Sequence, residues 1–139
     1  MKAKLSLKIA AGFILLKVIG HTFGHFIWDK PDDPKMMEVV TTMKGYKAEF
    51  MGATQSMADY YNGYSLMILC LYSMTIFILW FASGFISEQR TIANKILYPF
   101  GIAYLIFGVL EFLYFFPFAA SLSFLAGVLI LLSVAVSKR

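Results

Sequence analysis

Lys17, His21 and His25 stand at i, i+4 and i+8 inside one apolar run, in KVIGHTFGHFIWDK. That spacing lines one face of a helix. An imidazole placed there can serve as a general acid–base with a carboxylate to orient it. Histidines at i and i+4 can also share a metal, as on HExxH helices. HTFGH has no glutamate of its own, so the acid would be Glu111, in GVLEFLYFFP, the one carboxylate inside an apolar stretch. A zinc site would need His21, His25 and Glu111, with Asp59 or Glu49 as a further ligand. Metal is not the favoured reading. Haem held by both histidines is set aside, because two residues on one helix cannot reach opposite faces of a macrocycle. No residue pattern names another cofactor.

The composition says where this chemistry would lie. Of 139 residues, 60% are hydrophobic and 14% charged, whereas a soluble domain carries roughly a quarter charged residues. The net charge of +4 comes from short basic runs between apolar segments. Such runs orient a membrane protein and do not build a nucleic-acid surface. Cys70 is the single cysteine, so an internal disulfide and a CxxC pair are excluded, and it reads as apolar filler.

Four stretches approach the ~20 apolar residues that a crossing helix needs: residues 5–28, 60–86, 93–116 and 118–136. The expected fold over 1–139 is an all-α membrane protein. It is a four-transmembrane-helix bundle with an extracytoplasmic helical cap, 29–59, between the first two spans. The first run is long, contains Lys17 and lacks a small-residue cleavage site, so it reads as a retained helix and not a signal peptide. With the N-terminus inside, Lys2, Lys4, Lys8, Arg90, Lys95, Lys138 and Arg139 face the cytoplasm, and Lys30, Lys35, Lys44 and Lys47 face out. The positive-inside rule then places both termini in the cytoplasm. Within the cap, Asp33 before Pro34 marks a helix start. Met36, Val39, Val40 and Met43 give it an apolar face, and Gly45 suits its stop.

The polar residues converge in depth. Counted back from Trp28 at about 1.5 Å per residue, His25, His21 and Lys17 lie about 5, 10 and 16 Å below the outer end. Glu111 lies about 9 Å below Pro117 by the same count. Asp59, Tyr60, Tyr61, Asn62, Tyr64 and Ser65 begin the second span at that level. A charge in hydrocarbon is costly unless paired or wetted, so Lys17 and Glu111 are expected to meet.

Two functions follow. In the first, Lys17, His21, His25, Asp59, Tyr60, Tyr64 and Glu111 line a pocket in the outer-leaflet half for a small amphipathic ligand of lipid, quinone or isoprenoid type. Its enzymatic version uses His21 or His25 with Glu111. In the second, the chain is a non-catalytic small subunit or assembly partner of a larger membrane complex, or a homo-oligomer. The stripe Gly12, Gly20 and Gly24 then packs against a partner, and the buried charges fix helix register.

The blocks IGHTFGHF, FMGATQSMADYYNGYS and YFFPFAA resemble those of a family of short four-span bacterial inner-membrane proteins of uncharacterised function. In size and topology the chain is also similar to DoxX-like proteins, without their usual first-helix pattern. The resemblance implies the four-span fold and the bacterial inner membrane, and carries no activity over. Quinone-linked thiol oxidases need cysteine pairs, which are absent. Small multidrug exporters carry their glutamate in the first helix, where this chain has Lys17 and the histidines.

Overall fold

The computed structural model describes residues 3–136. In chain order its elements are α1 (Ala3–Ile27), α2 (Pro34–Gly45), β1 (Lys47–Phe50), β2 (Ala53–Ser56), α3 (Met57–Phe85), α4 (Arg90–Tyr114) and α5 (Pro117–Val136). Among the described residues three helices, α3, α4 and α5, are long and apolar enough to cross a membrane. The expected four-span bundle is therefore corrected. Helix α1 is not among the three, because Lys4, Lys8, Lys17, His21 and His25 interrupt its apolar residues. Two termini on one side of a membrane require an even number of crossings, so the expected cytoplasmic placement of both falls with the fourth span. Lys2, Lys138 and Arg139, on which that placement also rested, lie outside the described residues.

The described residues form two compact units. One holds the chain up to Val18 and again from Tyr72 onward. Its core contains Leu7, Ala10 and Ile14 of α1, Leu79 of α3, Leu97 of α4, and Ala126 and Ile130 of α5, all fully or nearly fully buried. Helices α4 and α5 form an antiparallel pair joined through Phe115 and Phe116, and Pro117 opens α5 with the fixed φ that suits a first turn. Glycines let the two backbones close. A Cβ at Gly127 would stand 3.0 Å from the Gly101 carbonyl oxygen and 3.0 Å from the Leu105 nitrogen, and one at Gly108 would meet the Phe124 ring at 2.8 Å. Small residues at a helix interface do this work in membranes, where lipid is as apolar as leucine and only close packing favours association.

The second unit, Ile19–Leu71, contains the end of α1, all of α2, the strands and the start of α3. Asp33 caps α2, its carboxylate accepting from the Lys35 and Met36 backbone N–H groups at 2.8 and 3.0 Å, with Pro34 at the first helical position. After α2 comes a feature outside the expected all-helical plan. Strands β1 and β2 pair antiparallel, Lys47 opposite Ser56 and Phe50 opposite Ala53. Met51 and Gly52 make the turn with φ of 51° and 83°. Positive φ at both central residues matches a turn to the right-handed twist of a hairpin. Ser56 then ends β2 and caps α3. Its hydroxyl accepts from the Asp59 N–H at 3.1 Å and donates to the Asp59 carboxylate at 2.7 Å, which also accepts the Ser56 N–H at 2.8 Å. This is a capping box with aspartate at its third position.

Candidate functional site

Four buried polar residues that bond to one another come from four different helices. Lys17 of α1, Tyr72 of α3, Glu111 of α4 and Ser123 of α5 are 6%, 8%, 9% and 0% exposed. The Lys17 Nζ donates to Glu111 Oε1 and to Ser123 Oγ. Ser123 Oγ donates to Glu111 Oε2 at 2.7 Å, and the Tyr72 hydroxyl donates to Glu111 Oε1 at 3.0 Å. The Lys17 ammonium also lies 4.7 Å from the centre of the Tyr72 ring, within cation–π range. Glu111 thus accepts three hydrogen bonds, two on one oxygen and one on the other. A charge in a low-dielectric interior is tolerable only with such geometry. The pairing of Lys17 with Glu111, expected from their shared depth, is present. Tyr72 and Ser123 were missed. Glu111 and Ser123 flank the α4–α5 turn within an antiparallel pair, each six residues from Pro117, so counting outward from that proline could have found the serine. Tyr72 carried a weaker signal, a phenol well inside an apolar helix.

In the second unit, the two histidines meet at one serine. Ser65 is 5% exposed, and the imidazoles are half-buried. His21 Nε2 lies 2.9 Å from Ser65 Oγ and 3.2 Å from the Ser65 carbonyl oxygen. His25 Nδ1 lies 2.9 Å from the same Oγ. A carbonyl only accepts, so this network assigns the hydrogen of His21 to Nε2. The Ser65 hydroxyl is thus shared between the two rings. Above them Trp28 Nε1 donates to Asn62 Oδ1 at 2.9 Å, and the Trp28 and Tyr61 rings are 4.5 Å apart. These contacts fasten the end of α1 to the start of α3, antiparallel.

The remaining predicted site residues have other work or none of this kind. Asp59 is committed to the α3 cap. Tyr60 and Tyr64 are 38% and 63% exposed. Among the described residues no three His, Cys, Asp or Glu side chains gather as a metal would require, so His21, His25 and Glu111 do not form a ligand set with Asp59 or Glu49. Gly12, Gly20 and Gly24 have nothing within 4 Å of an added Cβ, so the glycines that admit a neighbouring helix are those of α4 and α5. Cys70 is exposed, not buried filler. Asp29 accepts from the Lys44 ammonium at 2.8 Å, and that hydrogen bond holds its carboxyl below the usual range.

Three crossing-length apolar helices make this a helical membrane protein. No protein-family model, curated protein or solved structure matches the chain.

Proposed function

We propose that this chain is a non-catalytic membrane component, a small subunit or assembly partner, whose inner polar residues fix helix register instead of handling a substrate. One observation carries the reading. Lys17, Tyr72, Glu111 and Ser123, one from each of four helices, meet each other's hydrogen-bonding needs directly. A catalytic acid or base needs a partner yet to come, whereas a structural group has its partners already. The test is native electrophoresis of the chain extracted mildly from its own membranes. The reading predicts a species larger than one 15.7 kDa chain with its detergent. It also predicts that a Lys17→Met/Glu111→Leu variant enters the same species. Migration of the wild type as a lone chain contradicts it.

The small-ligand reading keeps one supporting observation. His21 and His25 are half-buried and converge on a single hydroxyl, a polar spot suited to the head of an amphipathic molecule. The resemblance of the three sequence blocks supports a bacterial inner membrane. The positive-inside rule puts the α3–α4 connection, with Arg90 and Lys95, on the cytoplasmic side. A reporter fused at that connection and active only outside the cell would contradict this orientation.

A further inference from the structure

A groove of about 780 Å³ opens at the start of α4, lined by Arg90, Thr91, Asn94, Lys95, Tyr98 and Pro99. Neither polar cluster described above contributes to it. Arg90 and Lys95 are exposed, and among the described residues neither forms an ion pair. Glu88, in the adjoining depression, is the acid beside them. Trp80 lies five residues before α3 ends at Phe85, with the Lys8 ammonium 5.0 Å from its ring centre. A tryptophan and lysines at one end of apolar helices mark the headgroup level of a bilayer. Pro99 sits inside α4 and has no N–H to give the Lys95 carbonyl. The groove therefore offers two cations and the Thr91 hydroxyl, bordered by the apolar faces of Tyr98 and Pro99.

We propose that this groove binds the headgroup of an anionic phospholipid of the phosphatidylglycerol kind. The phosphate sits between Arg90 and Lys95, a headgroup hydroxyl meets the Thr91 hydroxyl, and the acyl chains follow Tyr98 and Pro99 into the bilayer. Arginine binds phosphate through a planar fork and lysine through a point charge. Basic pockets between membrane helices recognise anionic headgroups by this chemistry.

Native mass spectrometry of the full chain in detergent tests the site, with phosphatidylglycerol and phosphatidylcholine of matched acyl chains offered at equal concentration. The wild type retains phosphatidylglycerol preferentially. Arg90→Gln or Lys95→Gln lowers that preference about fivefold each, and the double variant lowers it on the order of twentyfold. The charge-keeping exchange Arg90→Lys/Lys95→Arg retains it, and so does Lys44→Gln, outside the groove. Equal retention of the two lipids by the wild type overturns the proposal. An undiminished preference in the double glutamine variant does the same. Displacement of the lipid by millimolar inorganic phosphate would make the site one for the free anion and overturn the lipid assignment.

Discussion

The Lys17–Glu111 cluster and the His21–His25 cluster both tie helices together with polar side chains, yet they are built for different surroundings. The first is charged and almost wholly buried, and its carboxylate accepts from three side chains. The second is half-buried, and two imidazoles share one hydroxyl. In hydrocarbon, a lysine without its anion has no water to turn to. A half-buried imidazole that loses its serine can recover a water. The comparison teaches that depth, more than the number of bonds, decides how costly a broken polar contact is.

The strongest way to break the comparison is to strip the buried cluster of its anion. Glu111→Leu leaves Lys17 buried without its anion, and also removes an acceptor from the Tyr72 and Ser123 hydroxyls. Losing one partner of a buried pair costs about 3–5 kcal/mol. Denaturant titration in detergent micelles should show a loss of this size, and a loss below about 1 kcal/mol would mean water reaches Lys17. Packing offers the next contrast. Gly127→Ala pushes a methyl group against the Gly101 carbonyl and the Leu105 backbone, and overpacking of this kind costs about 1–3 kcal/mol. Gly20→Ala meets open space and should gain about 0.5–1 kcal/mol from helix propensity. The same titration separates them by sign.

Much of this contrast could be read from the residues, and the reasons differ by element. Lys17 and Glu111 are charges inside apolar runs at similar depth, so their meeting followed from the cost of leaving either alone. Asp33 followed by Pro34 is a local signal, and α2 begins there. The hairpin was hidden because its turn is Met51-Gly52, whereas the familiar signal is Asn-Gly or Asp-Gly. Without it, GATQSMADYY looked like a polar approach to a pocket, and Asp59 was read as a ligand contact when it caps α3. The count of spans failed on α1, whose apolar length resembled a crossing helix. Its buried lysine belongs to a helix held in place by Leu7, Ala10 and Ile14 and by an ion pair.

Smaller effects sharpen the second half of the comparison. Ser65→Ala removes the shared partner of His21 and His25, and a typical hydrogen bond contributes about 1 kcal/mol. The loss should stay well under that of Glu111→Leu, and an equal loss would show the histidine cluster to be as dry as the lysine cluster. The least effect belongs to Lys44→Ala, at the exposed pair with Asp29. Because Lys44 depresses the Asp29 pKa, any contribution is present above the ordinary carboxylate range and fades as pH falls through the lowered value. Carbon-13 NMR of the Asp29 carboxyl should show its titration move upward in the variant, with thermal stability unchanged.

The central claim is that Lys17 and Glu111 form one structural unit, and a double-mutant cycle tests it most directly. Lys17→Met, Glu111→Leu and the double variant would each be titrated with denaturant in the same detergent. Replacing a buried ion pair by apolar residues is often neutral or even stabilising, while removing either partner alone is not. The account therefore predicts single losses of about 3–5 kcal/mol each and a double variant that recovers much of that loss, short of the wild type by what the Tyr72 and Ser123 hydroxyls lose with their acceptor. If the two single losses simply add in the double variant, the groups act independently and the account is wrong.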